Sequence, residues 1–356
     1  MLVRAAIGFS SVNEASEPAE TEITEPVELC RTDGTLNPDA VGFSRVPLHT
    51  CNLSGRWGRK KRWDYWCVTS DDFVLSLTYA DIDYLGLAAV WFLDRRSGET
   101  FSAGMGTPLG IGFDLPDTVG GGPMRYDHLG LDIYIREEVA GTRLGAAARK
   151  RDGRVVYADV LVALPEGHET LSVVVPWDER TFQYTSKHNT RPAIGWVRTN
   201  EESYEAGSDT NSWGCLDFGR GIWPHRIVWN WGSASGRCDG RVLGLQLGGR
   251  WTDGTGSTEN GIVIDGRLHK ISEDLEWTYD REEWKRPWRI RTPRSERVDL
   301  SFIPEFERGE GVNLGAARTE VHQCFGTYHG TVLRDDGSAV ALEGLYGWAE
   351  EARQRW

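Results

Sequence analysis

Hydrophobic and polar residues alternate along much of this chain with the period of two that is typical of a β-strand. The alternation is clear at residues 131–135 and 242–247, and apolar runs of strand length stand at 155–164 and 171–177. Turn sequences separate the runs, and Asp265-Gly266 is a pair that favours a type I′ hairpin turn. Many short strands joined by such turns predict an all-β sandwich or barrel.

Two segments instead predict short helices, at residues 349–354 and 137–151. Residues 13–28 are acidic and contain two prolines, so we expect a flexible lead-in over residues 1–28. The strand pattern is interrupted at 189–193 and resumes afterwards. We therefore expect two β halves, residues 29–195 and 196–356.

Composition narrows the class of protein. The formal net charge of −13 argues against nucleic acid or an anionic membrane as the main partner, because both bind basic patches. The six cysteines show no C-x-x-C spacing, and no segment has the length of a membrane-spanning helix or the pattern of a signal peptide. These features predict a cytoplasmic protein with reduced thiols and no membrane insertion.

Tryptophan is unusually frequent, with 16 in the chain, and it is concentrated in the sequence WGCLDFGRGIWPHRIVWNW of residues 213–231. This segment has the pattern of a glycine-rich turn carrying Asp217 and Arg220, followed by a strand that presents Trp229 and Trp231 on one face. Aromatic walls with a few polar groups are typical of a small-molecule pocket. The alternative is a core strand in which an Asp217–Arg220 pair only fastens the turn.

The motifs of several reaction classes are missing. The histidines lack metal-ligand spacing, no G-x-S-x-G elbow is present, and the glycine clusters have no phosphate-loop context. We therefore predict no metal and no cofactor, which leaves acid–base chemistry. His188, Asp217 and Glu259 are the candidates, since a carboxyl against an aromatic wall or a histidine can transfer protons near neutral pH. Each of the three residues could instead have a purely structural role, as a hydrogen-bonded residue of a turn or of the core.

Several of these segments together resemble a bacterial family known as a domain of unknown function, number 2804. The matching pieces are KRWDYW (61–66), SKHN (186–189), LDFGRG (216–221), WNW (229–231), ENG (259–261), RPW (286–288) and QCFGTYHG (323–330). The resemblance extends from about residue 40 to the C-terminus. It implies an elongated all-β body similar to the lipocalin-like double-barrel proteins that include carotenoid hydratases, and no established reaction.

We expect two lipocalin-like barrel or sandwich halves with few short helices, and an aromatic cleft that binds a small, largely apolar molecule. The leading hypothesis is a cofactor-free enzyme of the hydratase, isomerase or cyclase type. Asp217 is the predicted general acid, oriented by Arg220, with His188 as base and Glu259 as the other candidate acid. The predicted substrate-binding residues are Tyr184, His225, Trp229, Trp231, Asn260, Trp288 and Gln323.

Two alternatives stay open. A carbohydrate-active enzyme would use Asp217 and Glu259 as its carboxylate pair. Its sugar platform would be drawn from Trp229, Trp231, Trp251, Trp284 and Trp288. The third possibility is a protein that binds a lipid or metabolite without catalysis.

Overall fold

A computed structural model describes residues 20–313 and 318–356, and in these residues nearly every element is a β-strand. The all-β prediction is confirmed. The only helical elements among the described residues are two short 3₁₀ helices, Pro38–Ala40 and Ser208–Thr210. The strands of the first half are β1 Val27–Glu28, β2 Phe43–Ser44, β3 His49–Thr50, β4 Lys60–Thr69, β5 Phe73–Asp81, β6 Leu85–Asp94, β7 Thr100–Pro108, β8 Met124–His128, β9 Leu131–Glu138, β10 Gly141–Arg149, β11 Val155–Ala163, β12 Leu171–Pro176, β13 Phe182–Thr199, β14 Ser203–Ala206 and β15 Trp213–Ile222.

The second half continues with strands that form a separate sheet. These are β16 Arg226–Cys238, β17 Arg241–Gly249, β18 Asn260–Ile264, β19 Arg267–Ile271, β20 Glu276–Thr278, β21 Trp288–Arg291, β22 Val298–Asn313, β23 Arg318–Leu333 and β24 Ala339–Arg355. The predicted turn at Asp265-Gly266 joins β18 to β19, and both residues have positive φ, 48° and 79°. That backbone conformation is the one a type I′ turn requires.

Each half is a curled, half-barrel sheet. The first sheet runs in the order β7-β6-β5-β4-β15-β13-β11-β10-β9-β8, with β2, β12 and β14 attached beside it. The second runs β19-β18-β17-β16-β24-β23-β22-β21-β20. In both sheets the last strand of the half pairs with the first long strand of that half. These pairs are β15 with β4 and β24 with β16.

Both helix predictions are wrong. Residues 137–151 lie in the β9–β10 hairpin, and residues 349–354 lie in β24. Local composition favoured a helix because both segments contain alanine and charged residues. Tertiary pairing overrides that preference, since β24 is hydrogen-bonded on one edge to β16 and on the other to β23. Small side chains suit this central position, and Ala349 and Ala352 are fully buried.

The change from one sheet to the other lies at residues 223–225, between β15 and β16. Residue 195, where the sequence placed it, lies inside β13. The interruption at 189–193 is a register shift within that strand, where Thr190 has φ of +56°. Part of the predicted flexible lead-in, residues 1–19, is outside the described residues. Residues 20–28 are exposed or half-buried, and Glu20 forms an ion pair with the buried Lys270.

The bend in β13 also fastens the two halves together. Asn189 donates a hydrogen bond from Nδ2 to the carbonyl of Leu245 (2.8 Å), and the Thr190 amide donates to Ser235 Oγ (2.9 Å). Leu245 and Ser235 belong to the second sheet. Asn189 of the SKHN segment therefore joins the two sheets, whereas Lys187 of the same segment has a different role.

Each half-barrel has its own apolar core on its concave side. Leu216, Phe218 and Tyr184 belong to the first core, while Leu245 and Tyr328 belong to the second. Two further apolar clusters contain residues of both sheets and lie where the outer faces meet. All six cysteines are free thiols. Among the described residues, no helix has the length and apolar character needed to cross a bilayer.

Candidate functional site

A cavity of about 520 Å³ lies between the two half-barrels, against the outer face of each sheet. Side chains that would be exposed on either half alone are therefore covered by the other half. Its wall includes Trp63, Tyr65, Gln183, Thr185, Lys187, Asp217, Trp223, Trp229, Trp231, Trp251, Glu259, Gln323, Glu350 and Trp356. Half of these fourteen residues are aromatic, and Lys187, Asp217, Glu259 and Glu350 are the charged residues among them. Arg308, Glu310, Arg318 and Arg355 also line the cavity.

Strand β13 divides its side chains between this cavity and the core of the first half. Gln183, Thr185 and Lys187 line the cavity, because alternate residues of a strand face the same side. Tyr184 and His188 point the other way. Tyr184 packs in the first core beside His49, with ring centroids 4.6 Å apart. The sequence prediction chose the wrong face of this strand.

Strand β15 carries the LDFGRG motif in the same alternating manner. Asp217 is on the cavity side, whereas Phe218 and Arg220 are on the core side. Gly219 is required by a close approach: a Cβ there would lie 2.1 Å from the Trp63 ring. The motif is thus a strand rather than the predicted turn, and its small residue makes room for an aromatic wall.

The predicted Asp217–Arg220 pair is wrong. Residues three apart on a strand face opposite sides, and Arg220 instead pairs with Asp64 at 2.8 Å. Arg220 is fully buried and also donates to the carbonyl oxygens of Trp63 and Pro116. It stabilises the first half and does not reach the cavity.

Lys187 is the partner of Asp217. The two residues lie directly opposite each other on β13 and β15, with Nζ 2.9 Å from Asp217 Oδ1. The same Nζ lies 3.0 Å from Glu259 Oε1 and 4.0 Å from the centroid of the Trp231 ring. One buried ammonium therefore joins carboxylates from both halves of the molecule.

The charges of this cluster depend on one another. Burial opposes ionisation of Lys187, but Asp217 and Glu259 outweigh it and raise the pKa of its ammonium above the usual 10.5. Burial raises the pKa of Glu259, and Lys187 counteracts part of that shift. Thr185 donates to Asp217 Oδ1 (3.2 Å), and Trp251 donates to Glu259 Oε2 (3.2 Å).

Glu350 is a third cavity carboxyl, and within the described residues it has no cation within ion-pair distance. Its neighbours are neutral donors: Trp229 Nε1 lies 2.9 Å from Oε1, and Gln323 Nε2 lies 3.1 Å from Oε2. Burial therefore dominates and raises the pKa of Glu350 to about 7. This carboxyl changes its protonation state near neutral pH.

These groups form two facing rows of three side chains. Tyr65, Asp217 and Lys187 are paired across β4, β15 and β13 of the first sheet. Trp231, Glu350 and Gln323 are paired across β16, β24 and β23 of the second. The rows touch where the Tyr65 and Trp231 rings meet edge to face, 5.8 Å apart. The cavity thus places a lysine–carboxylate cluster opposite a carboxyl with near-neutral pKa.

Five of the sequence-predicted residues come together in this wall. They are Asp217, Glu259, Trp229, Trp231 and Gln323. Among the described residues, the wall does not include His188, Arg220, Tyr184, His225, Asn260 or Trp288.

The residues away from the wall have other surroundings. Burial and Arg191 hold the pKa of His188 well below its usual 6.5, and its Nε2 lies 2.9 Å from Ser186 Oγ. Asn260 accepts from the Gly248 amide, Trp288 stacks on Tyr279 in the second core at 4.1 Å, and His225 is exposed between β15 and β16. None of these four residues therefore contacts the cavity in which the sequence prediction placed them.

Sequence reasoning missed Lys187 and Glu350. Lys187 is in the SKHN motif, and alternation within β13 could have placed it on the face opposite Tyr184 and His188. Glu350 was hidden by the incorrect helix assigned to residues 349–354. In a strand, Glu350 and its neighbour Glu351 face opposite sides, and Glu351 binds Arg250 at 2.8 Å and Arg353 at 2.6 Å.

The chain belongs to the family described as a domain of unknown function (DUF2804), whose profile matches residues 20–356. The match begins earlier than the resemblance seen in the sequence and includes residues 20–28. No curated protein matches the chain.

Two similar solved structures are those of CghA with Sch210972 and of kievitone hydratase from Nectria haematococca. The first has 11% sequence identity, covers 90% of this chain and 98% of its own, and gives a TM-score of 0.46. The second has 11% identity, covers 84% of this chain and 89% of its own, and gives a TM-score of 0.42.

Proposed function

We propose that this protein is a cofactor-free acid–base enzyme that acts on a small, largely apolar molecule held between the half-barrels. The observation that carries the proposal is the pairing of unlike carboxyl environments in one aromatic cavity. Glu350 has a pKa of about 7, whereas Asp217 is held by the ammonium of Lys187. A carboxyl that is neutral in part of its population and a carboxylate paired with an ammonium can supply an acid and a base in the same cavity.

In this scheme Glu350 donates a proton to an unsaturated or carbonyl group of the substrate. Its protonated form is populated near neutral pH, which is the condition for an effective general acid. Asp217 accepts a proton from water or from a substrate carbon on the other side. Lys187 holds Asp217 in place, and the Trp229 and Trp231 faces stabilise positive charge that develops between them. Hydration, dehydration, isomerisation and cyclisation all use these steps.

The predicted roles of His188 and Arg220 are replaced in this proposal. His188 faces the first core, so the cavity carboxylates take the role of base. Arg220 is bound to Asp64, so Lys187 takes the orienting role. Glu259 shares Lys187 with Asp217 and is the alternative proton acceptor.

The carbohydrate interpretation retains only part of its predicted platform. Trp284 and Trp288 are in the core of the second half and are not on the cavity wall, whereas Trp229, Trp231 and Trp251 line it. The non-catalytic interpretation makes a different prediction for the experiment that follows.

The test is hydrogen exchange between solvent and a substrate supplied by the cell. An apolar extract of the source cells is incubated in D₂O with wild-type protein, and mass spectrometry identifies compounds that gain deuterium on carbon or gain or lose water. Glu350→Gln should lower the rate by about 10²–10⁴-fold. Glu351→Gln, on the opposite face of the same strand, should leave it unchanged. A compound that binds but never changes would favour the non-catalytic interpretation.

A further inference from the structure

Gln183 borders the cavity four residues before Lys187 on β13 and is fully buried. Its Oε1 accepts a hydrogen bond from Trp223 Nε1 at 2.6 Å. An indole N–H can only donate, so the amide oxygen must face Trp223 and the NH₂ group must face away from it. That Nε2 has no hydrogen-bond partner among the described residues.

The backbone beside Gln183 is shaped to hold this orientation. Gly221 lies on the neighbouring strand β15, and a Cβ there would be 2.2 Å from Gln183 Oε1. Any larger residue at 221 would displace the amide. The last glycine of the LDFGRG motif therefore makes room for the Gln183–Trp223 hydrogen bond.

A second unpaired donor lies beside the same tryptophan. Trp356 lines the cavity, its ring meets that of Trp223 at 6.1 Å, and its buried Nε1 has no hydrogen-bond partner among the described residues. A buried N–H without an acceptor has lost its hydrogen bond to water without a replacement, which is unfavourable. Two residues of the cavity wall, both next to Trp223, therefore carry a donor that a hydrogen-bond acceptor of a ligand would satisfy.

We infer that Gln183 and Trp356 bind an oxygen acceptor of the substrate, a carbonyl or ether oxygen. Both donors are neutral and neither can accept, which selects against an ammonium group and against a plain hydrocarbon. Gln183 and Lys187 are separated by four strand residues, about 13 Å along β13. The substrate is then a largely apolar molecule whose oxygen acceptor lies near Gln183, about 13 Å along β13 from Lys187, the partner of Asp217. That the proton transfer takes place near Asp217 rests on the proposed function.

The experiment compares two probes of the same shape, 2-acetylnaphthalene and 2-isopropenylnaphthalene, which differ by a carbonyl oxygen in place of a methylene group. Equilibrium dialysis measures their affinities for the wild-type protein. The ketone should bind about tenfold more tightly than the hydrocarbon, the difference that one buried hydrogen bond supplies. The carbonyl stretching frequency of the bound ketone should also fall, as it does when the oxygen accepts a hydrogen bond.

Gln183→Met should abolish the tenfold preference and restore the carbonyl frequency. Gln246→Met is the matched control, because Gln246 accepts from Trp231 Nε1 at 3.1 Å in the same way but is not on the cavity wall. Equal losses in the Gln183 and Gln246 variants, or a ketone that binds no better than the hydrocarbon, would overturn the inference.

The outcome is independent of catalysis. A retained ketone preference with no deuterium incorporation would refute the proposed function and leave the oxygen subsite intact. Deuterium incorporation without a Gln183-dependent preference for the ketone would refute the oxygen subsite and leave the proposed function intact.

Discussion

Replacing Glu350 by glutamine should stabilise the protein, and the gain should depend on pH. The pKa of Glu350 is raised by burial from 4.5 to about 7 in the folded protein. Between those values the folded state keeps a proton that the unfolded state has lost, so stability falls as pH rises through the window. The difference in pKa corresponds to about 3 kcal/mol once both states are ionised. Glutamine has nearly the same shape and carries no charge.

Glu350→Gln should therefore have nearly the stability of wild type at pH 5 and exceed it by up to about 3 kcal/mol at pH 8. Urea unfolding at pH 5, 6, 7 and 8 measures the difference in stability between Glu350→Gln and wild type. Most of the increase in this difference is expected between pH 5 and 7. A difference that is the same at pH 5 and pH 8, or a variant that is less stable at pH 8, would refute the reasoning.

Glu351→Gln is the matched control, since it removes a carboxyl from the adjacent position. Burial opposes ionisation of Glu351, but hydrogen bonds from Arg353 and Tyr279 outweigh it and hold the pKa of this carboxyl below its usual 4.5. Its contribution to stability is present above pH 4.5 and is lost only as pH falls through the lower folded value. This variant should be destabilised by a similar amount at pH 5 and pH 8.

Three further changes test the packing around the cavity. Lys187→Met leaves two buried carboxylates without their cation and should cost about 3–5 kcal/mol in urea unfolding at pH 8, less at pH 5; equal stability would contradict the shared ion pair. Arg220→Met should cost a similar amount because Asp64 loses its partner, but should leave probe binding in the cavity unchanged at temperatures where the variant is folded. Gly219→Ala forces the Trp63 ring from the wall and should lower stability by about 1–3 kcal/mol and weaken binding of 2-acetylnaphthalene; an unchanged melting curve and affinity would refute the close approach.

The fold class followed from the sequence because alternation and turn pairs are local signals. Asp265-Gly266 forms its predicted turn, and the strands at 131–135, 155–164, 171–177 and 242–247 are all present. Residues 349–354 failed because their local helix preference is small compared with pairing on both edges of β24.

The candidate site was predicted in part. Asp217, Glu259, Trp229, Trp231 and Gln323 lie on one wall, as the sequence led us to expect. Arg220 and His188 were misplaced because the sequence suggested a turn at LDFGRG, whereas a strand sends alternate residues to opposite faces.

The sequence predicted an aromatic cleft but did not show that it is formed by the outer faces of two sheets, because that depends on how the half-barrels pack. Lys187 and Glu259 are 72 residues apart in the sequence and meet only because the two half-barrels pack against each other. The same packing buries Glu350, which no local pattern marks as unusual.

The most direct test of the account is an infrared titration of the carboxyl groups, because the proposed chemistry requires a neutral carboxylic acid in the cavity near pH 7. The carbonyl band of a neutral carboxylic acid should persist in the wild-type protein above pH 5 and disappear with a midpoint of about pH 7. The same transition should be present in Glu351→Gln and missing in Glu350→Gln. Loss of every such band below pH 5, or an unchanged transition in Glu350→Gln, would contradict the account.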